Sequence, residues 1–461
     1  MFLSAVALAL HAAAQPADSS ATKGATPPSA QDSSAPAPGW LSTLQKPLWL
    51  TDLSLGVKEA YDNNLLLVSG AGPTKEQDSW VTTVSPKVGF NLAPLLGDQS
   101  VFQALALGYA PDFATYHDAP AESYTAHRFA ATIKGKQEGL SFNLEDAFNY
   151  VDGNQEAPTY APPDNGRSGL ATAVPRERRR QFQDRAKIAF QYEQGKWFVR
   201  PTAALVYYEM LTERRPNAAA TGYQNYPNRN DVNGGLDAGY VISPGLAATL
   251  GYRYGHQYQE QLSKAIDPSL QSSPNYYQRA LAGLEGKPWK WLTVSLQGGP
   301  DFRRYEDTVA GAHVTPVGDK DPVKYYGEAT LTADISAKDQ ATFKYKQWQW
   351  LSSTGKLPLF DSLYDLSYRH KFSPQFALDL GFRIIDWDYT SAAGSASKRD
   401  DRQYTPSVGL TYNLSAHLSF NVAYAVDLGR NAQDDLAFYG AASKYREFNH
   451  HVVSFGGIVK F

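Results

Sequence analysis

The chain has 461 residues, a formal net charge of −3 and no cysteine. The absence of cysteine excludes disulfide bonds, thiolate chemistry and cysteine-based metal sites, and the small net charge gives no global signal for binding nucleic acid or another polyanion. Mean hydropathy is −0.42 and no stretch approaches the ~20 consecutive apolar residues of a membrane helix, so the chain either stays in water or crosses lipid as strands.

The N-terminus predicts export. Residues 2–10 form a short apolar segment and alanines occupy positions 12–14, where a signal peptidase requires small residues. No Lys or Arg precedes this segment, which departs from the usual pattern. We predict a signal peptide at 1–14. Residues 15–48 are mainly Ala, Ser, Pro, Thr and Gln as far as Gly39, a composition that cannot bury a core, and are predicted to form a disordered periplasmic linker.

From residue 49 to 461 the chain repeats one plan, in which a strand, a long polar loop, a second strand and a tight turn follow each other. We count about 18 strands on the alternation of apolar and polar residues. The predicted turns contain Gly, Pro, Asn or Asp, as short hairpins require. They are Ala93–Asp98, Lys136–Gly139, Glu193–Lys196, Ser243–Gly245, Lys287–Lys290, Ser336–Asp339, Phe372–Pro374 and Asn413–Ala416. The longest predicted loops are Asp62–Ser79, Tyr150–Arg180, Gly255–Asn275, Tyr305–Pro322 and Leu428–Tyr445.

Alternation is clearest in four strands, whose side chains point alternately to opposite faces. One face of these strands carries Leu140, Phe142, Leu144, Ala186, Ile188, Phe190, Tyr192, Phe376, Leu378, Leu380, Phe382, Ile384, Leu418, Phe420, Val422 and Tyr424. Polar residues occupy the other face, for example Asn143, Asp379 and Asn421. A soluble sandwich or propeller also has one apolar face. Strands of about ten residues, aromatic residues near strand ends and the asymmetry of turns and loops favour lipid outside and water inside.

The last strand ends on an aromatic residue. Counting back by twos from Phe461 gives Val459, Gly457, Phe455 and Val453, all suited to face lipid. This pattern resembles the closing strand of bacterial outer-membrane barrels, in which a terminal Phe is part of the insertion signal. The predicted fold class is therefore all-β, a transmembrane up-and-down antiparallel barrel. A barrel of this size leaves an aqueous lumen unless loops fold inward.

The opening strand, Leu53 to Asn64, ends in Tyr61-Asp62-Asn63-Asn64. Together with the paired strands up to the terminal Phe, it resembles the outer-membrane β-barrel porin family associated with exopolysaccharide loci. The resemblance spans residues 49–461, and the Tyr-Asp-Asn end is its single local motif. Membership implies an outer-membrane channel and transfers no catalytic residue.

The residues that alternate with the apolar face of each strand predict which charges line the lumen. The principal candidates are Arg128, Lys134, Glu145, Arg185, Lys187, Arg200, Arg253, Lys344, Asp379 and Arg383. Basic residues outnumber acidic ones at these positions, which favours anions in a confined pore. The alternative is that these residues form ion pairs across the wall and only solvate it.

Arg176, Arg178, Arg179 and Arg180 lie where a long loop enters a strand. Their guanidinium groups are candidates for contacts with lipopolysaccharide phosphates or with a passing anion, the alternative being a solvated loop base. The acidic pairs Asp400-Asp401 and Asp434-Asp435, and Asp319-Lys320-Asp321, lack the full spacing of a calcium loop. No metal or other cofactor is predicted.

The sequence contains no nucleophile elbow, zinc-protease helix or nucleotide fingerprint, so no catalytic residue is assigned. We expect a porin-like channel for small solutes, anionic solutes or saccharides among them. One alternative is a structural or exopolysaccharide-export barrel with a plugged lumen and ligand-binding loops, and a minor one is an outer-membrane lipase. The expected partners are outer-membrane lipid, lipopolysaccharide and the barrel-insertion machinery, without nucleic acid.

Overall fold

The computed structural model describes residues 46–69, 75–97, 100–155, 178–216, 225–260, 273–306, 321–351, 358–389, 400–431 and 447–461. The predicted signal peptide and nearly all of the predicted linker lie outside these residues. In the described part of the chain no helix is long and apolar enough to cross a membrane.

Nineteen strand segments make up almost the whole described fold. They are β1 (Leu50–Asp62), β2 (Ser79–Asn91), β3 (Phe102–Tyr109), β4 (Asp112–Tyr116), β5 (Tyr124–Gln137), β6 (Leu140–Asp152), β7 (Gln181–Gln194), β8 (Trp197–Met210), β9 (Arg229–Ser243), β10 (Leu246–Gln259), β11 (Asn275–Trp289), β12 (Leu292–Tyr305), β13 (Val323–Asp334), β14 (Asp339–Trp350), β15 (Leu359–Lys371), β16 (Phe376–Tyr389), β17 (Asp400–Asn413), β18 (Leu418–Asn431) and β19 (Phe448–Lys460). Two short 3-10 helices lie at Ala93–Leu96 and Pro120–Glu122.

The strands form one closed antiparallel sheet. Each strand pairs with its neighbours in the sequence, and β1 also pairs with β19, from Ser54 opposite Lys460 to Asp62 opposite Val452. β3 and β4 both pair with β2 and with β5, so they are two halves of one strand. The break between them contains Pro111, which has no amide hydrogen to donate to a ladder. The barrel therefore has eighteen strands, and the predicted fold class is confirmed.

All eight predicted tight turns coincide with short connections, and these lie at one end of the barrel, here called the turn end. The longer connections lie at the opposite end, the loop end. At the turn between β5 and β6, Glu138 and Gly139 have φ values of 43° and 86°. Two consecutive positive φ values are what a two-residue type I′ hairpin requires.

The outer surface of the barrel is apolar. In β19, Val453 and Phe455 are 45% and 54% exposed, and the alternate residues of the other strands repeat this pattern. Exposed apolar residues include Leu140, Phe190, Tyr192, Leu380, Phe382, Phe420, Val422 and Tyr424, as the alternation predicts. An apolar surface around a closed barrel, with short turns at one end and longer loops at the other, is the architecture of bacterial outer-membrane barrels.

The wall is not continuous at the loop end. β13 and β14 pair only from Asp334 opposite Gln340 to Gly327 opposite Gln347. β14 continues to Trp350 and stays paired with β15 as far as Leu359, while β13 continues to Val323 and stays paired with β12. The ends of β13 and β14 are thus separated, and the last residues of β14 turn into the lumen.

Candidate lumen and mouth of the barrel

Most of the charged residues predicted to line the pore form ion pairs along the inner wall. These charged residues occupy the strand positions that alternate with the exposed apolar residues, and therefore point to the inside of the barrel. The pairs are Arg128 with Asp112, Lys134 with Glu145 at 3.2 Å, Arg200 with Glu285 at 2.9 Å and with Asp237 at 3.2 Å, Arg253 with Asp237 at 2.7 Å, Arg369 with Asp379 at 3.5 Å, and Arg383 with Asp365 at 2.5 Å. All of these pairs join neighbouring strands except that of Arg200 in β8 with Glu285 in β11. The pairing removes much of the basic excess on which the predicted anion preference depends.

Three further predicted residues lie differently. Arg185 donates to the Tyr208 hydroxyl, and Lys187 faces Glu328 of β13 across the lumen. Lys344 is exposed and forms no ion pair with any described residue. Six basic side chains line the central cavity, against three acidic ones, Asp231, Glu328 and Asp361. The basic set is Arg185, Lys187, Arg229, Arg253, Arg279 and Lys346.

The inward end of β14 crosses the lumen. Gln349, Trp350 and Leu351, here called the bridge, reach strands on the opposite wall. Nη1 of Arg229 in β9 donates to the Leu351 carbonyl at 2.8 Å, and the Gln257 side chain in β10 donates to the Gln349 carbonyl at 3.0 Å. Since β10 to β13 lie between β9 and β14 in the wall, the bridge spans a chord of the barrel.

Aromatic contacts accompany these hydrogen bonds. The Arg229 guanidinium lies 4.8 Å from the Tyr208 ring centre and 5.4 Å from that of Trp350, and the two rings are 6.1 Å apart. Arg229 is only 3% exposed. A buried guanidinium between two aromatic faces gains cation–π attraction, and this stabilises the bridge in its crossing position.

The loop after β1 also folds inward. The Asn64 side chain donates to the Val68 carbonyl at 2.8 Å and accepts from the Val68 amide at 3.0 Å, which closes a compact turn. Leu65 and Val68 are each 1% exposed. The turn presents Leu67 to an interior apolar cluster that also contains the loop ends of β14, β15, β16 and β19. The cluster consists of Leu359, Ile385, Trp387, Tyr389 and Phe448, with Trp350 and Leu363 at its margin.

Arg178 fastens this turn from the side of the third long loop. Its guanidinium donates to the Leu65 carbonyl, to Glu122 at 2.5 Å and to the Tyr116 hydroxyl at 3.3 Å. The predicted outward contact with lipopolysaccharide phosphates does not fit Arg178, which is 8% exposed, or Arg179, which is 1% exposed. Both groups are buried because the loop end of the barrel folds over them.

Arg180 is more open, with about a third of its side chain exposed, and lies 3.4 Å from Asp152. A hydrogen bond with Tyr150, and then the charges of Tyr150 and Asp152, raise the pKa of Arg180 above its ordinary value. Arg176 lies outside the described residues, as do Asp434-Asp435 and the Asp319-Lys320 part of the predicted acidic cluster. No group of three His or acidic residues in the described ranges is arranged to hold a metal ion.

The seam between first and last strands is closed by a buried imidazole. Nε2 of His450 lies 3.0 Å from Asp62 and Nδ1 lies 3.0 Å from Asp427. Because a carboxylate only accepts hydrogen bonds, both ring nitrogens donate and the ring carries a positive charge. His451 points outward and stacks on Tyr424, so the two histidines face opposite sides of β19. Phe461 is 43% exposed and donates its amide to the Leu53 carbonyl at 2.9 Å.

Several interior residues were not among the predicted set, above all Arg229, Asp231 and Asp237. The apolar residues Val232 and Leu236 of β9 are exposed on the outside, so the same parity that located Arg200 also places these three inside. The Asp112 partner of Arg128 could not be found in this way, because the break at Pro111 interrupts the strand.

Among the described contacts no imidazole nitrogen is hydrogen-bonded to a serine hydroxyl, and the contact of His417 with Ser415 is made by the His417 backbone amide. An aliphatic hydroxyl that does contact an imidazole is that of Thr82. Its Oγ1 lies 2.8 Å from Nε2 of His117 and donates to Glu59 at 2.5 Å. The same His117 nitrogen is the one nearest Glu59, at 3.5 Å. A hydrolytic triad needs the acid on the other ring nitrogen, and this arrangement does not provide it.

No family model and no curated protein matches the chain. Among solved structures, the chain is similar to outer membrane protein opdK from Pseudomonas aeruginosa, with 12% identity, a TM-score of 0.40 and coverage of 89% of this chain and 99% of that one. It is also similar to OccAB4 from Acinetobacter baumannii, with 12% identity, a TM-score of 0.42 and coverage of 89% and 98%. The ferric citrate transporter FecA has 11% identity, a TM-score of 0.41 and coverage of 89% and 79%.

Proposed function

We propose that the protein is an outer-membrane channel for small anionic solutes, acidic sugars among them. One observation carries this proposal. The cavity inside the closed barrel is lined by six basic and three acidic side chains. Two of the basic ones, Arg253 and Arg279, pair with Asp237 and Asp301, which leaves four basic side chains against the three acidic ones. Fixed positive charge in a confined aqueous space raises the local concentration of anions and lowers their entry barrier.

The lining of the cavity also favours solutes with rings. Tyr208, Trp348, Trp350 and Trp387 contribute to it. Aromatic faces offer apolar contact area, while a few fixed polar groups orient a ligand. Arg and Lys side chains beside such faces suit a carboxylate or phosphate attached to a sugar ring, because charge-assisted hydrogen bonds to oxyanions are the strong ones.

The test is the reversal potential of the purified protein in planar bilayers under a salt gradient. We expect the protein to conduct ions, with a reversal potential whose sign indicates a preference for anions. A preference for cations would refute the proposal. In liposomes, galacturonate should enter faster than galactose, the matched neutral sugar. Recovery of the protein in the outer-membrane fraction of cells tests the proposed location.

A second candidate is a structural or exopolysaccharide-export barrel with a plugged lumen. The observation that favours it is the mouth, where the bridge and the turn around Leu67 meet in one apolar cluster. This candidate predicts that the protein inserts into bilayers without conducting, in every variant of the mouth. Any steady single-channel conductance of the wild type excludes a permanent plug.

A further inference from the structure

Within the described ranges, the positive charge of Arg229 has no carboxylate in ion-pair contact with it. Among the described residues it forms no ion pair, and its hydrogen bond goes to the neutral Leu351 carbonyl at 2.8 Å. The guanidinium lies within the lining of the central cavity and is almost fully buried. A second guanidinium, that of Arg185, lies beside it and donates to the same Tyr208 that Arg229 stacks on. This side of the cavity is therefore suited to an anion.

The Leu351 carbonyl uses an N–H of Nη1 of Arg229, and an anion that bound along this edge of the guanidinium would need the same donor. A carboxylate forms a stronger, charge-assisted and bidentate contact with a guanidinium than a backbone carbonyl does. An anion that binds along this edge therefore displaces Leu351, and the bridge loses its hydrogen bond with Arg229. The contacts that remain are those of Gln349 with Gln257 and the Tyr305 hydroxyl, and those of Trp350 with Tyr208 and Leu359.

A place for the released bridge exists in the wall. β13 continues from Gly327 to Val323 without pairing to β14, so this stretch presents a free strand edge. If the register of Gly327 opposite Gln347 continues, then Tyr325 comes opposite Gln349 and Val323 opposite Leu351. Backbone groups on both strands would gain ladder hydrogen bonds. A second position for the end of β14, in the wall, is therefore geometrically available, and β15, which is paired with β14 as far as Leu359, would move with it.

We propose that Arg229 is an anion site that operates the mouth of the channel: an anionic solute takes the place of the Leu351 carbonyl on Arg229, and the end of β14 moves from the lumen to the free edge of β13. The inference rests on the proposed function. A solute shifts such an equilibrium only through different affinities for the two positions, and the Nη1 edge of Arg229 is open to an oxyanion only after Leu351 has left.

The first test compares single-channel conductance of the wild type with that of Arg229→Gln. The wild type should show a low basal conductance. Added galacturonate should raise this conductance by more than the change in bulk conductivity explains, whereas galactose should not. Arg229→Gln should show raised basal conductance and no response to galacturonate. Lys136→Gln is the control, because Lys136 lies at the turn end and pairs with Glu193, and it should keep the wild-type response. If Arg229→Gln had the same basal conductance as the wild type and kept the response to galacturonate, the proposal would be overturned.

The second test does not depend on replacing Arg229, and the natural chain has no cysteine. In Tyr208→Cys/Trp350→Cys, a short bis-maleimide, which forms a thioether bond with each cysteine, should hold the bridge across the lumen and abolish the response to galacturonate. In Tyr325→Cys/Gln349→Cys, a disulfide should form faster with galacturonate present and hold conductance high until reduction. Unchanged conductance after complete cross-linking of both variants would refute the two positions.

The two proposals fail in distinguishable ways. Cation preference in the reversal potential of the wild type refutes the proposed solute class, whatever the mutants do. Anion preference together with conductance that is independent of galacturonate and of both cross-links leaves the solute class intact and refutes the role of Arg229.

Discussion

Nε2 of His450 and a carboxylate oxygen of Asp62 lie 3.0 Å apart, and this contact joins the last strand of the barrel to the first. Asp427 of β18 binds the other ring nitrogen at 3.0 Å. The side chains of all three residues are less than one-sixth exposed. The imidazole therefore stabilises the one strand pair whose members come from opposite ends of the chain.

Replacing His450 should weaken this seam. In His450→Ala, two buried carboxylates lose their shared cation, and removing one member of a buried pair costs about 3 to 5 kcal/mol. We expect a lower urea midpoint for unfolding in detergent. His451→Ala is the matched control, since this neighbour faces outward against Tyr424. Equal midpoints for the two variants would contradict the assigned role.

Replacing Asn64 should loosen the inward turn after β1. Asn64→Ala removes both hydrogen bonds with Val68 and one with the Asn449 carbonyl, and buried groups left unsatisfied cost about 1 to 3 kcal/mol each. We expect larger single-channel conductance and faster protease cleavage of the loop. Asn64→Asp keeps an acceptor for the Val68 amide and should lie between Asn64→Ala and the wild type. If neither variant altered the conductance, the turn would not lie in the conducting path.

Trp387 should contribute to stability from inside the lumen. It is 6% exposed in the cluster with Leu359 and Phe448, and truncating a buried Trp to Ala costs about 3 to 5 kcal/mol. Trp197 is 62% exposed on the outer surface, so Trp197→Ala is the control and should lower the urea midpoint much less. The reverse order would mean that the interior cluster is not a packing core.

Lys187 should contribute to ion selectivity more than a lysine at the turn end does. It lines the central cavity, where a fixed charge acts in a confined space. Lys187→Gln should lower the ratio of anion to cation permeability obtained from reversal potentials. Lys136→Gln is the comparison, because Lys136 is half exposed and pairs with Glu193 at 3.5 Å. The hypothesis fails if Lys136→Gln has the larger effect.

Phe461 should matter for assembly more than for the stability of the finished barrel. Its side chain is 43% exposed at the turn end, so truncation removes little packing. Phe461→Ala should reduce the fraction of newly made protein that reaches the outer membrane, measured by pulse labelling and fractionation. Phe455→Ala, on the same face and 54% exposed, should have less effect. Equal losses would indicate that general apolarity, not the terminal position, is recognised.

The alternation of residues in the sequence was sufficient to predict the barrel, its strand number and its asymmetric ends. Side chains alternate strictly between the two faces of a strand, so the lipid-facing positions of β19, such as Val453 and Phe455, are readable without coordinates. The turn at Glu138-Gly139 was readable too, because few residue types accept positive φ values. These features are local, and local chemistry determines them.

The mouth of the barrel depends on contacts between residues far apart in the chain. Arg229 and Leu351 are separated by 122 positions, and nothing near either residue indicates that β14 leaves β13 after Gln347. The pairing of Arg200 with Glu285, and the burial of Arg178 beneath the loop end, depend likewise on which strands and loops closure brings together. The sequence alone determined which face of each strand meets lipid. Only the tertiary structure decided which interior charges are paired and that Arg229 has no ion-pair partner in the part of the chain that the structure describes, because ion pairs form between positions that become neighbours on closure.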